Sequence, residues 1–444
     1  MSIKTRRIIC IIFILIFFIA TPLIIAYATG YKLSFNKKFL QKTGIFILDS
    51  HPSGAKIFIN NKIQQNLFKK IFLNKQTYIT TPAKIKNLSP GEYVVRLELT
   101  DYWPWGKKLS IKPGLATYAE DIYLFKQNLP VLAISTKIND LKLSPAKNKL
   151  AILNSNQLIL FNLINETKQI TPLLNKKKSL SWSNNNQKII LDNTAYDVDN
   201  LDNKITIDDL AIKNPTKLSW TDNKLYYTSV DSLSYFDPMN KSSEEIINKK
   251  EINDYVIKNN YLYLLNNFNS LNILKIDTIE TIGNISLPNA TNYSFINTEQ
   301  KIINIYDQNH QILYLIDSST SSRMPIIKKI NNIKYTYWIN DAKLLYANDF
   351  EIWLYNIVSE EKNLITRISN NITGIVWHPS NNYLIYSTEK TINSIELDKR
   401  EKQNITELVK FDKISSLFIN PKGDLLYFSA KINNQEGIYK LTIQ

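Results

Sequence analysis

The chain has 444 residues, enough for two or three domains with cores of their own. Apolar content of 44% is ordinary for a globular protein, ten scattered glycines cannot supply a P-loop or a dinucleotide fingerprint, and one cysteine, Cys10, excludes a disulfide framework. The net charge of +15 is uneven: residues 1–128 carry 19 Lys/Arg against 6 Asp/Glu, residues 129–444 carry 35 against 33.

Residues 1–30 read as a signal anchor. Residues 8–28 are apolar apart from Cys10, Thr21, Pro22 and Tyr27, and as a helix would span about 31 Å, the thickness of a bilayer core. Lys4, Arg6 and Arg7 precede the run. The alternative is a cleaved signal peptide, since Ala26-Tyr27-Ala28 has the small-x-small form of a cleavage site. Lys32, Lys37, Lys38 and Lys42 follow the span, so charge count alone orients it weakly. A short basic N-terminus before a first span places the bulk of the chain outside the cytoplasm. Residues 31–43 read as a polar linker.

Residues 44–128 carry short β-rich runs (GIFILDS, AKIFIN, EYVVRLEL, KKLSIK, TYAEDIYL) broken by Pro, Gly, Asn and Ser. Pro52-Ser53-Gly54-Ala55 reads as a turn, with Pro52 fixing φ and Gly54 permitting positive φ. Thr81-Pro82 follows, then Pro90-Gly91, which reads as a type II turn, and then Asp101-Tyr102. The order of these motifs resembles the PEGA domain, with serine in place of its glutamate, Asp101 where a glycine is common, and a longer loop at 62–79. The resemblance implies an extracytoplasmic module of envelope proteins. Pro52, Gly54, Ala55, Thr81, Pro82, Pro90 and Gly91 are expected to shape turns rather than bind ligands. Beside them, Trp103, Trp105, Lys107 and Lys108 could form a surface contact for sugar rings or a lipid interface. The competing expectation is that Tyr102 and one Trp are core, and that Trp105 packs on the neighbouring domain.

Residues 129–444 repeat. Units begin at about 140, 179, 217, 254, 292, 334, 373 and 415, each with a short strand, a polar turn and a second apolar strand, as in GIVWHPSNNYLIYS at 374–387. A period near 40 with four short strands predicts a β-propeller of eight (or seven) blades. Trp182, Trp220, Trp338 and Trp377 would wedge between blades. Residues 130–136 would supply the fourth strand of the last unit and close the ring. Asn420-Pro421-Lys422-Gly423-Asp424 and His378-Pro379-Ser380-Asn381 resemble the WD-like repeat of the TolB propeller class.

Catalytic motifs are absent. His51, His310 and His378 lie far apart without metal spacing, and His51 and His378 read as solvated turn residues. The acidic stretch Asp197, Asp199, Asp202, Asp208, Asp209 superficially suggests a calcium loop. Registered on Ile205, its first ligand position falls on Val198 and its sixth lacks glycine. No cofactor or metal is expected.

The expected whole is all-β behind a transmembrane helix. It reads as a non-catalytic, single-pass protein of the cell membrane, binding or scaffolding through a propeller face. Its partner there would be a protein or a glycan. The basic β-domain would contact anionic lipid or wall polymer rather than nucleic acid. The rival is a glycan hydrolase or lyase, which needs convergent carboxylates in the channel.

Overall fold

The computed structural model describes residues 3–33, 40–66, 77–173, 180–206, 215, 217–229, 232–248, 252–267, 269–288, 292–317 and 326–444. The N-terminal helix runs Ile3–Ala28, and its segment Thr5–Ala28 is long and apolar enough to cross a membrane. Apolar side chains lie on every face, so it has no polar stripe to keep it at an interface. The helix ends where Gly30 takes φ +85 and the Thr29 hydroxyl donates to the Ile25 carbonyl at 2.8 Å.

The stretch read as a linker holds a hairpin instead. Tyr31–Leu33 pairs antiparallel with Leu40–Lys42, and the Thr43 amide and hydroxyl both donate to the Gly30 carbonyl at 2.7 Å. Residues 44–123 form a small β-unit of two sheets. One holds Ala83–Leu88, Gly44–His51 and Ala116–Tyr123, and the other Lys62–Ile63, Lys56–Ile59, Gly91–Glu98 and Trp105–Ile111. Phe46, Leu48, Ile57, Val95 and Leu97 are fully buried between them. In Trp105–Ile111 burial alternates strictly, so the period of the strand carries Lys107 inward with Trp105, Leu109 and Ile111.

The rest is an eight-bladed propeller, each blade a four-stranded antiparallel sheet. Blades 1 to 7 span residues 140–172, 180–206, 217–248, 252–286, 293–330, 335–367 and 372–410. Blade 8 combines 413–442 with Val131–Ser135, which pairs with Gln435–Thr442 and so closes the ring with the strand preceding blade 1. Closure pairs the edge of Gln435–Thr442 and covers the facing apolar sides of blades 8 and 1. An apolar cluster fills each of the eight blade-to-blade junctions, including the closing one, where Ile134, Tyr427 and Ile438 meet Leu150, Ile152 and Phe161. Trp220, Trp338 and Trp377 are buried in three of these, and the partly buried Trp182 indole donates to the Lys142 carbonyl of blade 1 at 3.2 Å.

Local chemistry explains the repeat. The polar residue ending the innermost strand caps the turn to the second. Ser144 accepts from the Lys149 amide at 3.0 Å, Ser183 from Lys188 at 2.8 Å and Asn420 from Leu425 at 3.1 Å. Asn and Asp also carry most of the positive-φ positions that glycine would fill elsewhere, among them Asn60, Asn186, Asp222, Asn381 and Asn433.

Candidate functional site

Two regions gather polar chemistry: the propeller channel and the junction between propeller and small β-unit. The innermost strands enclose a channel of about 800 Å³. Its wall mixes aliphatic side chains with hydroxyls and aromatics, including Ser181, Ser219, Thr373 and Tyr335, and with Lys142, Lys147 and Lys217; among the described residues Glu299 is its one acid. The Lys217 ammonium contacts the Asp254 carboxylate and donates to the Tyr255 carbonyl at 3.2 Å. Burial pulls the Lys217 pKa down to about 7. Burial likewise lowers Lys147, whose ammonium sits 4.0 Å from the Tyr337 ring centroid.

The channel is bridged at one end by its own turns. Lys147, in the first turn of blade 1, donates to the Trp338 carbonyl of blade 6 at 2.6 Å. The Thr298 hydroxyl of blade 5 bonds Asn184 of blade 2 at 2.7 Å. Both contacts join blades three places apart around the ring, so they cross the channel rather than run along its rim.

The small β-unit docks on the same side. Strand direction alternates within a blade, so first-to-second and third-to-fourth turns share one face of the ring. Blade 7 meets the small unit through both kinds of turn, at His378 and at 398–401. The Lys107 side chain is fully buried, its amino group 2.8 Å from Glu396 and 3.3 Å from Asp398, and it donates to the Asp398 carbonyl at 2.9 Å. Glu396 also accepts from the Trp105 indole at 3.1 Å and the Asn404 amide at 2.8 Å. Arg400 donates to the Tyr118 carbonyl at 2.6 Å. Phe125 is buried in the cluster between blades 7 and 8, and the Lys126 amide bonds the Ile443 carbonyl at 2.9 Å.

His378 corrects the expectation of a solvated turn residue. It is fully buried against Tyr123, Phe125 and Tyr383. Its Nε2 lies 3.0 Å from the Gly423 carbonyl, which can only accept, so Nε2 carries the hydrogen; Nδ1 accepts from the Ser380 hydroxyl at 2.8 Å and amide at 3.2 Å. Desolvation pushes its pKa down to about 4, so it is neutral at pH 7. His51 and His310 are half exposed, His51 3.7 Å from Asp121 and His310 2.7 Å from Asp307.

The surface-contact expectation for Trp103, Trp105, Lys107 and Lys108 is corrected in the same way. Trp105 and Lys107 are buried in the docked junction, and half-buried Trp103 packs on the cluster between blades 7 and 8. Only the Lys108 side chain is left in the open, paired with Glu92, while its backbone amide meets Glu401. Of the turn residues expected from the sequence, those around Gly54 and Thr81 come together, while Pro90 and Gly91 lie at the other end of the unit. Thr81 donates its amide to the Ala55 carbonyl and its hydroxyl accepts from the Ala55 amide, both at 3.0 Å, while the Gly54 amide bonds the Thr81 carbonyl at 2.8 Å. Gly54 takes φ +94, and the bonds before Pro52 and Pro82 are cis. Gly91 has φ +155 and opens the strand Gly91–Glu98, which departs from the expected type II geometry.

Asp197 lies 3.0 Å from Lys188, and the described residues hold no cluster of three metal-ligating groups; Asp208 and Asp209 fall outside the described residues. Sequence reasoning missed Glu396, Asp398 and Arg400. Their one signal is the charged run Glu396-Leu397-Asp398-Lys399-Arg400-Glu401 in a third-to-fourth turn longer than those of blades 1 to 4 and 6. On the opposite face of the ring, blade 6 holds a shallow depression of about 450 Å³ around half-exposed Phe350, Glu351 and Arg367.

No protein-family model matches the chain, and no curated protein matches it by sequence. Similar solved structures include the C-terminal WD40 domain of Sif2, at 12% identity over 71% of this chain and 99% of that one, with a TM-score of 0.48. The Myceliophteria thermophila Cps50 (Swd1) β-propeller domain matches at 12% identity over 72% and 100%, with a TM-score of 0.40. The computationally designed Ika8 protein matches at 11% over 70% and 99%, with a TM-score of 0.47. Likenesses this distant carry nothing about partners or chemistry; the propeller rests on its own strand pairing and closure.

Proposed function

We propose that the chain is a non-catalytic, membrane-anchored scaffold of the cell envelope, in which a PEGA-like β-domain of residues 44–128 holds a TolB-like propeller off the bilayer. The observation that carries this reading is the way the small β-unit is tied at its two ends. One end joins the helix through Thr43 and Gly30, and the other is locked to blade 7 through buried Lys107, Glu396 and Asp398. Strands of seven or eight residues separate the two ends by about 20–25 Å. The docked face of the ring is turned toward this spacer, and its channel end is bridged. The opposite face, with the Phe350 depression, is left for a partner, a protein or a glycan. A channel wall with Glu299 as its one described acid favours binding over glycoside hydrolysis, which uses a pair of carboxylates.

Protease shaving of intact cells tests the orientation: residues beyond 44 should be cut, and full protection would refute it. For the partner, a soluble probe should begin at residue 31, because a cut at 128 removes Phe125 from a cluster it shares with the propeller. Capture from envelope extracts should be lost with Phe350→Glu and retained with Met239→Glu on the docked face. Equal capture by both variants would place the partner elsewhere.

A further inference from the structure

The end of the small β-unit where the helix leaves it has a distinct surface. Gly30, Thr43, Asn87 and residues 111–115 meet there. The Thr43 amide bonds the Gly30 carbonyl at 2.7 Å, the Gly114 amide bonds the Thr43 carbonyl at 2.8 Å, and the Asn87 amide reaches the Tyr27 hydroxyl at 2.9 Å. Around this junction stand four exposed lysines, Lys32, Lys42, Lys86 and Lys112. The one acid among the described residues at this end, Glu92, is paired with Lys108. At the apex Leu115 is 56% exposed, next to exposed Pro113 and Gly114. The lysines therefore encircle the polar end of an apolar helix, and an unburied leucine projects among them. The unit's other end is already occupied by the propeller.

We propose that this surface is a platform for anionic phospholipid headgroups. The four lysines meet the lipid phosphates and Leu115 enters the interfacial layer. The proposal rests on the anchored reading above, and the helix supplies its geometry: a span that ends at Ala28 delivers Gly30 and its neighbours to headgroup depth. Each lysine held near an anionic surface shifts the contact equilibrium about fivefold. Four acting together fix how the spacer stands on the bilayer, and through the locked junction how the propeller is aimed.

The test uses the full chain with Cys10→Ser and Leu115→Cys, labelled at position 115 with a polarity-sensitive fluorophore, and a second sample labelled at Met239→Cys on the propeller. Both are reconstituted into vesicles of phosphatidylcholine alone or with phosphatidylglycerol, and flotation is read from each sample. With phosphatidylglycerol, the label at 115 should shift to the blue and lose several-fold in quenching by aqueous iodide, while the label at 239 stays accessible. Combined Lys32→Glu, Lys42→Glu, Lys86→Glu and Lys112→Glu should abolish the shift. Because Lys42 packs close to Gly114, high salt on the unsubstituted chain gives the same test without a change of sequence. A chain that floats but keeps residue 115 equally quenched in both vesicle types overturns the platform and leaves the anchor standing. Protection by an added wall polyanion in place of phosphatidylglycerol also overturns it. A chain that does not float overturns the platform together with the anchor.

Discussion

Replacing Lys107 by methionine keeps the aliphatic stem and removes the charge that joins the small β-unit to blade 7. In the native junction the fully buried ammonium faces Glu396 at 2.8 Å and Asp398 at 3.3 Å. Without it Glu396 keeps its bonds from Trp105 and Asn404 but sits as a nearly buried carboxylate with no cation. Asp398 retains Arg400 at 2.7 Å. Breaking a buried pair from one side costs about 3–5 kcal/mol, most of it the burden of the stranded charge. The expected outcome is a loss of that size in urea unfolding of the detergent-solubilised chain. The small unit should then melt before the propeller instead of with it. Adding Glu396→Gln should recover part of the loss, since a neutral amide no longer strands a charge. A loss below about 1 kcal/mol, or no recovery in the double variant, would mean that the triad does not hold the junction.

Acid should loosen the same junction. His378 has a folded pKa of about 4 against an ordinary value near 6.5, so the unfolded chain binds its proton first as pH falls. Its contribution is fully present above pH 6.5 and is lost progressively down to pH 4, by about 3 kcal/mol. His378→Asn, which copies the capping Asn420 of blade 8, should flatten that slope in stability measured across pH 4–7. Gly437→Val should open the ring, because a Cβ at Gly437 would lie 2.0 Å from the Ile134 carbonyl oxygen; faster amide exchange in Val131–Ser135 checks it. At Asp101, φ +65 makes glycine acceptable and valine costly by about 1–2 kcal/mol, readable as a shift in thermal midpoint.

The ring was legible because its physics is local and repeated. Each blade spells an aromatic or apolar inner strand, a capped turn and an apolar second strand, and eight copies average out the noise of any one. Closure could be read from the surplus strand at 130–136, which had nothing else to pair with. Asp101 could be marked as a glycine substitute, and its positive φ gives the reason. The docking chemistry was hidden for the opposite reason: it occurs once and joins residues 291 positions apart, as Trp105 and Glu396 show. A lysine in an alternating strand normally points to solvent, and nothing in Trp105–Ile111 announces that Lys107 falls on the inward phase. His378 misled in the same way. A histidine before proline in a turn reads as solvated until a second unit covers it. The linker misread at 31–43 is also a matter of partners: Tyr31–Leu33 is too short to mark as a strand without Leu40–Lys42 beside it.

The central claim is that spacer and propeller move as one body. Spin labels at Lys62→Cys in the spacer and Val358→Cys in the propeller, in a Cys10→Ser chain, report it through their distance distribution in membranes. A single narrow distribution, no broader than that of an internal propeller pair at Met239→Cys and Val358→Cys, is the predicted result. A broad or multimodal distribution across the junction would contradict it.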